Sequence, residues 1–503
     1  MMCMGMFMAI LDVKVVATSL PTIQAALSVP ADQMSWIQTA YLIAEVIAIP
    51  LTGFLTRWIG MRWLFVGGVL AFTLASAGCA MSNGFGQLIA LRVLQGFSGG
   101  VLIPAVFSAV FLLFPQKRQG LATTIAGVLA VLAPTVGPVA GGWITETYTW
   151  RWLFLINLVP GLLAACGAFL LLPRERVAAG LWRSLDILAL VLMAVSLASL
   201  EIALKEAPGR GWISVPVFGL MGLSILAASG FLRRTLASER PVVDLRTFRD
   251  RNFAFGALLS FALGMGLFGS VYLMPVFLAL VRGHHALRIG EIMLVTGAVQ
   301  LLTAPIAVAL ERRFDARWLA GIGFLMFSLG LGMSAFETRQ TDFSDMFWPQ
   351  VIRGAAIMLC LLPPTRLALG QLSAEAIPDA SGLFNLMRNL GGAIGLALID
   401  TIIFGRAPHH AAAIISRLQN GDLATAEALG IPIEVFKLRL AGPIDPGTAE
   451  LLMPLIKTQS LVQAINEAWW FLAIATLIPL LVLPFFRPVQ PGVAAEAGRS
   501  PSA

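Results

Sequence analysis

Charge is scarce in this sequence. Only 12% of its 503 residues are Asp, Glu, Lys or Arg, about half the share of a soluble domain. Apolar residues fill the gap at 58%, and the mean hydropathy is +0.85. Such a chain reads as an all-α polytopic membrane protein, and length-per-domain rules for soluble folds do not apply. Cysteine is scarce too. Cys3, Cys79, Cys166 and Cys360 lie in apolar segments, without metal-ligand spacing or a disulfide pattern, and read as small packing residues. Of the few histidines, His409 and His410 are adjacent in a polar stretch. A metal site needs more ligands than that, so no metal and no other cofactor are expected. There is no P-loop, no G-x-S-x-G and no Cys/His metal motif, which argues against an ATP-driven pump and against an enzyme. The net charge of +7 raises the question of nucleic acid. The basic residues, however, sit in short loops between apolar runs, where they orient a membrane protein and meet anionic lipid.

What the chain does have is long apolar runs. A spanning helix needs about 20 apolar residues. Fourteen stretches qualify, near 3–25, 36–56, 62–82, 86–113, 121–144, 152–172, 185–204, 212–232, 252–281, 289–310, 317–336, 347–370, 381–405 and 467–486. The connecting loops alternate in charge. One set holds sixteen Lys and Arg, including Arg57, Arg62, Lys117, Arg118, Arg176, Arg183, Arg240 and Arg312, and the opposite short loops hold six. The positive-inside rule makes the first set cytoplasmic, with both termini on that side. One loop dissents. Residues 371–379 belong to the basic set by parity, yet contain Glu375 and Asp379 and no Lys or Arg.

The chain also repeats itself. A shift of 255 residues carries Arg57, Arg62, Trp63 and Leu64 onto Arg312, Arg317, Trp318 and Leu319, and "LQGFSGGVLIP" (94–104) is similar to "IRGAAIMLCLLP" (352–363). Internal symmetry of this kind is typical of transporters built from two bundles with a site between them. The reading is an N-terminal six-helix bundle (1–173), a linker with two extra spans (174–240), a C-terminal six-helix bundle (241–490) carrying a polar outer loop at 406–466, and a cytoplasmic tail (491–503).

Four stretches carry candidate chemistry. Arg92 stands alone in an apolar run, where a guanidinium costs a few to about 10 kcal/mol, so it should face a cavity and a partner. Gln95 lies beside it at i+3, and Gly96, Gly99 and Gly100 continue as a close-packing surface. The deepest acids are Asp12, Glu45, Glu201 and Asp400, with Asp12 and Glu45 the preferred partners. A carboxyl group held between burial and a nearby cation is suited to binding and releasing protons. Lys14 is two residues from Asp12 and cannot share its helical face. "GFLTRWIGMR" places Gly53, Arg57, Gly60 and Arg62 in a tight turn, read either as a switch or as plain anchoring. "VLAPTVGPVAGG" places Pro134, Gly137, Pro138, Gly141 and Gly142 in one helix, as a kink with a bare face for close helix contact. Arg353 and Arg388 are near helix starts, where an arginine can snorkel to the interface.

With these motifs in view, the sequence resembles the major facilitator superfamily, and within it the fourteen-helix drug–proton antiporters of the Emr type. The resemblance rests on "LDVKVVATSLPTI", "GFLTRWIGMR", "LRVLQGFSGG", "APTVGPVAGG", "ERPVVDLRTFRDRNFAFG" and "WPQVIRG". It implies two six-helix bundles plus two extra helices, and proton-coupled export by alternating access in a bacterial inner membrane. It links Asp12 and Arg92 to proton coupling, the 137–142 element to antiporters, and the 53–62 loop to conformational switching. It also implies a periplasmic adaptor and an outer-membrane channel as partners, with 406–466 as the contact. The sequence departs from the family pattern in three places. The loop motif usually has an aspartate where this chain has Arg57 or Thr56. Lys14 replaces a small polar residue, and Arg353 stands where relatives often have glutamine. The expected cargo is an amphipathic, hydrophobic small molecule that meets Asp12, Glu45 and Gln95. The alternatives are a dedicated exporter of one metabolite, such as a siderophore or fatty acid, and a non-transporting membrane sensor.

Overall fold

The computed structural model describes residues 1–28, 33–174, 185–239, 241–311, 313–431, 436 and 446–487. The expected tail at 491–503, together with Arg176, Arg183, Arg240 and Arg312, lies outside them. Among the described residues there is no strand. The helices in chain order are α1 (Met2–Thr18), α2 (Leu20–Leu27), α3 (Trp36–Ile59), α4 (Met61–Met81), α5 (Phe85–Leu113), α6 (Gln116–Thr147), α7 (Trp152–Leu155), α8 (Leu158–Leu171), α9 (Ile187–Arg210), α10 (Val215–Ala237), α11 (Arg251–Leu280), α12 (Ala286–Glu311), α13 (Ala316–Met333), α14 (Phe343–Leu369), α15 (Ile377–Gln419), α16 (Leu423–Ala428) and α17 (Pro446–Leu477).

Among the described residues, twelve helices are long and apolar enough to cross a membrane, or thirteen if the two bent halves of α6 count as one span. Helix α1 has 17 residues and continues into α2 after a break at Ser19. Fourteen spans are therefore compatible with the structure. The break at Ser19 and a second one at Ile156–Asn157 interrupt runs that hydropathy alone reads as continuous.

Two bundles form. In the first, α3 packs on α5, α4 on α5 and α8, and α1 on α6; in the second, α11 packs on α15, α13 on α14, and α17 on α13 and α15. They meet where α6 lies on α12 and where α15 lies on α3 and α5. In lipid, apolar burial gives little drive for helices to associate, so close backbone approach and polar contacts matter more. The α3–α5 contact shows this. A Cβ placed on Gly96 would lie 2.2 Å from the Tyr41 carbonyl oxygen, and one on Gly100 2.5 Å from that of Glu45. The hairpin α9–α10 leans on α3 and α15, and the Trp212 indole N–H donates to Thr401 Oγ1 at 2.9 Å.

The segment 406–466 is not simply a loop. Helix α15 runs 43 residues, about 65 Å at 1.5 Å per residue, or roughly twice the hydrocarbon thickness. Helix α17 returns from Pro446. Ile414, Leu418, Leu429, Phe436 and Ile456 form a small core there, and Arg406 donates to Glu467 at 2.7 Å. The polar faces of the helix extensions hide this core from a hydropathy reading. His410 Nε2 bonds Glu467 at 2.9 Å, while His409 is exposed. Among the described residues no group of His, Cys, Asp and Glu could hold a metal ion.

Candidate functional site

Five stretches of the first bundle bring polar side chains to one dry point. Asp12 comes from α1, Ser76 from α4, Arg92 and Gln95 from α5, Asn157 from the break before α8, and the Ile37 carbonyl from α3. Asp12 is 1% exposed, and Arg92 and Gln95 are both 0% exposed. Arg92 Nη1 donates to Asp12 Oδ2 at 2.5 Å and to Gln95 Oε1 at 2.6 Å, and Nε donates to the Ile37 carbonyl at 3.1 Å. The other Asp12 oxygen accepts from Gln95 Nε2 and from Asn157 Nδ2, both at 2.9 Å. Gln95 Nε2 also donates to Ser76 Oγ at 2.7 Å. The guanidinium lies 4.4 Å over the Tyr41 ring, whose hydroxyl donates to the Ala9 carbonyl at 3.1 Å. A buried ion pair needs such extra bonds to offset its desolvation. Of the carboxylates weighed as partners for Arg92, Asp12 is the one that bonds it.

Between the bundles lies a cavity of about 520 Å³. Glu45 lines it from α3 and Lys14 from α1. Arg388 and Asp400 line it from α15, and Glu201 from α9. Asp12 and Gln95 do not line it, contrary to the expectation. Their side chains turn into the first bundle to close the Arg92 network, and only Glu45 of the three expected cavity residues faces the opening. Glu201 belongs to the extra hairpin, so the spans outside the repeat also form part of the cavity wall. Asp400 Oδ1 accepts from the Tyr272 hydroxyl at 2.6 Å. Arg388 and Arg353 do not snorkel, being 7% and 3% exposed.

At the end that carries the basic loops, Arg57 Nη1 donates to Asp379 Oδ2 across the two bundles. Gly53, one turn earlier, allows this contact, because a Cβ there would fall 2.8 Å from the Asp379 Cα. Gly60 takes φ +80° in the one-residue joint between α3 and α4, a region that favours glycine. Arg62 stays within its own bundle, 4.5 Å over the Phe169 ring.

Helix α6 bends by 48° between its halves Arg118–Pro134 and Val139–Thr147. Pro134 ends the first half and is buried, as expected of a proline kink. The side chain of Pro138 lies outside the described residues. Beyond the bend, Val139 seats on Gly290 of α12, where a Cβ would meet it at 1.9 Å. Gly137 faces the Lys14 stem, its notional Cβ 2.5 Å from Lys14 Cβ. The Gly141 carbonyl accepts from Thr145 Oγ1 at 2.7 Å. Gly142 is half-buried on the same half-helix. The element thus presses on its own bundle and on the other one.

Ser76, Asn157 and Tyr41 were missed by the sequence reading. Asn157 carried a usable signal, being the one amide in the apolar run "WLFLINLVPGLL".

The model of the Major Facilitator Superfamily matches residues 2–396. The chain belongs to that superfamily. It is therefore a multi-span membrane transporter and not an enzyme. It is 37% identical over 401 residues to the colistin resistance protein EmrB of Acinetobacter baumannii, covering 80% of this chain and 78% of that protein. It is 29% identical over 484 residues to the multidrug export protein EmrB of Escherichia coli, covering 96% and 93%. Among solved structures it is similar to the proton:xylose symporter XylE, with TM-score 0.59 and 13% identity, covering 97% and 94%. That likeness concerns the fold alone.

Proposed function

We propose that this chain is a proton-coupled antiporter that exports drugs or other amphipathic hydrophobic compounds by alternating access. The observation that carries the reading is the arrangement of Glu45. Its carboxyl group lines the inter-bundle cavity, and its backbone packs on Gly100 of α5, the helix that holds Arg92 against Asp12. A proton taken by Glu45 or Asp12 would change the charge that both cargo and network meet. The drug-resistance relatives support the cargo class.

The proposed setting is a bacterial inner membrane, with the basic loops and both termini cytoplasmic. The helical extensions of α15 and α17 are then periplasmic and offer a contact for an adaptor protein and, through it, an outer-membrane channel. The Arg57–Asp379 contact closes the cytoplasmic side, and α6 on α12 seals the seam between bundles.

Everted vesicles energised by a proton gradient test the reading, with ethidium as probe. Accumulation should collapse when an ionophore dissipates the gradient, and should fall at least tenfold in Asp12→Asn. Accumulation that survives the ionophore overturns proton coupling.

A second reading, export of a single anionic metabolite such as a fatty acid, is favoured by Arg388. Its Nε and Nη2 have no partner among the described residues, and the guanidinium lies 5.6 Å from the ring centres of both Phe107 and Phe384. Decanoate export that is lost in Arg388→Gln, with ethidium export absent from the wild type, would establish it.

A further inference from the structure

The second bundle holds a buried charged centre that the mechanism above does not use. The internal repeat locates it. Laying Gly96 on Gly354 places Arg92 on Gln350 and Gln95 on Arg353. Both bundles therefore carry one arginine and one glutamine at i, i+3 on corresponding helices, in opposite order. In the first bundle the pair closes on Asp12. In the second, the acid is Glu337, directly after the short 3₁₀ turn Ser334–Phe336 that follows α13.

This centre is built around one indole. Trp469 of α17 is fully buried. Its N–H donates to Glu337 Oε2 at 3.3 Å, and its face carries the Arg353 guanidinium at 4.9 Å. Asn466 Nδ2, one turn away, donates to the Glu337 carbonyl at 2.8 Å. Gln350 Oε1 accepts from Thr296 Oγ1 at 3.1 Å. The network stops there. Glu337 Oε1, Asn466 Oδ1, Gln350 Nε2, and Arg353 Nε and Nη1 are buried without a partner among the described residues. Glu337, Arg353 and Gln350 are 6%, 3% and 0% exposed. Unmet donors and unmet acceptors together are the signature of a site for bound water, which needs two to four polar partners.

The centre lies between the end opposite the basic loops and the inter-bundle cavity. Glu337 lies at the end opposite the basic loops, beside the Phe336–Trp470 aromatic pair that suits a membrane interface. Arg353 is ten residues into α14 from that end, and helical side chains point back toward the helix start, here toward Glu337. One turn beyond Arg353 on the same face, Ile357 lines the inter-bundle cavity. Burial raises the Glu337 carboxyl to about 8, against the opposing pull of Arg353 and the indole N–H. Other titratable groups at this end are engaged elsewhere. Asp342 is held by Arg282 and His284, Glu467 by Arg406 and His410, and Arg339 donates to the Leu429 carbonyl.

We propose that Glu337, Arg353, Trp469 and Asn466 form a second, hydrated proton-exchange centre, loaded from the face opposite the basic loops. Glu337 Oε1 takes a proton from a hydronium relayed along bound water, leaving neutral water behind, and returns it the same way, so that only O–H bonds form and break. Arg353 balances the carboxylate when the proton leaves. The proposal rests on the proton-antiport reading and adds a second carboxyl group to it.

Difference infrared spectroscopy tests it on the full-length protein in proteoliposomes, titrated from alkaline to acid pH. A carbonyl component titrating well above the ordinary carboxylate range is expected in the wild type and in Asp12→Asn; it is the component that subtracting the Glu337→Gln spectrum isolates, and it is displaced in Glu337→Asp. Trp469→Phe keeps a ring under Arg353 but removes the N–H that stabilises the carboxylate, so the band should appear at more alkaline pH. Ethidium efflux driven by the pH gradient should fall severalfold in Glu337→Gln and recover in Glu337→Asp. Identical titration spectra for the wild type and Glu337→Gln, or an unmoved midpoint in Trp469→Phe, overturn the proposal and leave the centre a structural water site. The antiport reading fails on a different result, efflux that ignores the gradient in the wild type.

Discussion

Arg57 on the first bundle is paired with Asp379 on the second. Each was an anomaly in the sequence. The resemblance led us to expect an acid at Arg57 or Thr56, and Asp379, in the first turn of α15, belongs to a stretch that the sequence reads as a loop whose parity called for bases. The structure joins them across the two bundles. Reversing one charge should splay this end, and reversing both should restore it. Arg57→Asp and Asp379→Arg are each expected to lower ethidium efflux at least tenfold, and the double variant to recover most of it. Arg57 is partly exposed, so losing the pair alone disfavours the closed state by only about 1 kcal/mol, roughly fivefold in population, and the like-charge repulsion of a reversal adds to this. Alkylation of a cysteine introduced at Thr56 should rise in each single variant and fall again in the double one.

The Asp12–Arg92 pair separates stability from coupling. Neutralising one member leaves a buried charge unpaired, at a cost of about 3–5 kcal/mol, whereas neutralising both costs much less. Asp12→Asn and Arg92→Gln should therefore each lower the thermal midpoint, and the double variant should sit nearer the wild type. Efflux should stay at least tenfold below the wild type in all three. A double variant that melts like the wild type and still exports would remove the pair from the mechanism.

The fold class was legible because a membrane makes hydropathy nearly sufficient: every spanning helix must be long and apolar. The location of Arg92 was legible for the same reason, since a lone charge in lipid demands a partner. The choice among partners was not. Asp12 and Glu45 are both mid-span acids, and only the packing of α1 against α5 and α6 decides which one turns inward. Asn157 shows the limit from another side. Its amide reaches Asp12 because the chain breaks before α8, and that break has no hydropathy signal. The helical character of 406–419 and 446–466 was hidden because these extensions carry polar faces.

Asn157 should matter more than a surface amide does. It gives one of the two bonds to Asp12 Oδ1. Asn157→Leu leaves that oxygen with Gln95 alone, a loss of about 1–3 kcal/mol for a buried charged acceptor. We expect a thermal midpoint several degrees lower. Asn157→Asp should be worse, because it sets a second carboxyl group against Asp12. If Asn157→Leu melts like the wild type, the amide is not a working part of the network.

The contact between Val139 and Gly290 makes the seam between bundles testable. Val139 follows the bend of α6, and Gly290 presents bare backbone from α12. A Cβ on Gly290 would meet Val139 Cγ2 at 1.9 Å and its Cβ at 3.0 Å. The valine side chain is short and branched, with a single torsion, so it cannot swing clear as a longer chain would. The helices must separate instead, and an antiporter whose seam separates admits protons without cargo. Gly290→Ala should therefore raise the proton leak of proteoliposomes in the absence of any exported compound, and Gly290→Leu should raise it further. Val139→Ala combined with Gly290→Ala returns the volume and should bring the leak back toward the wild-type rate. A leak unchanged in Gly290→Leu would show that α6 and α12 do not form the seal, and would leave the bend of α6 as packing alone.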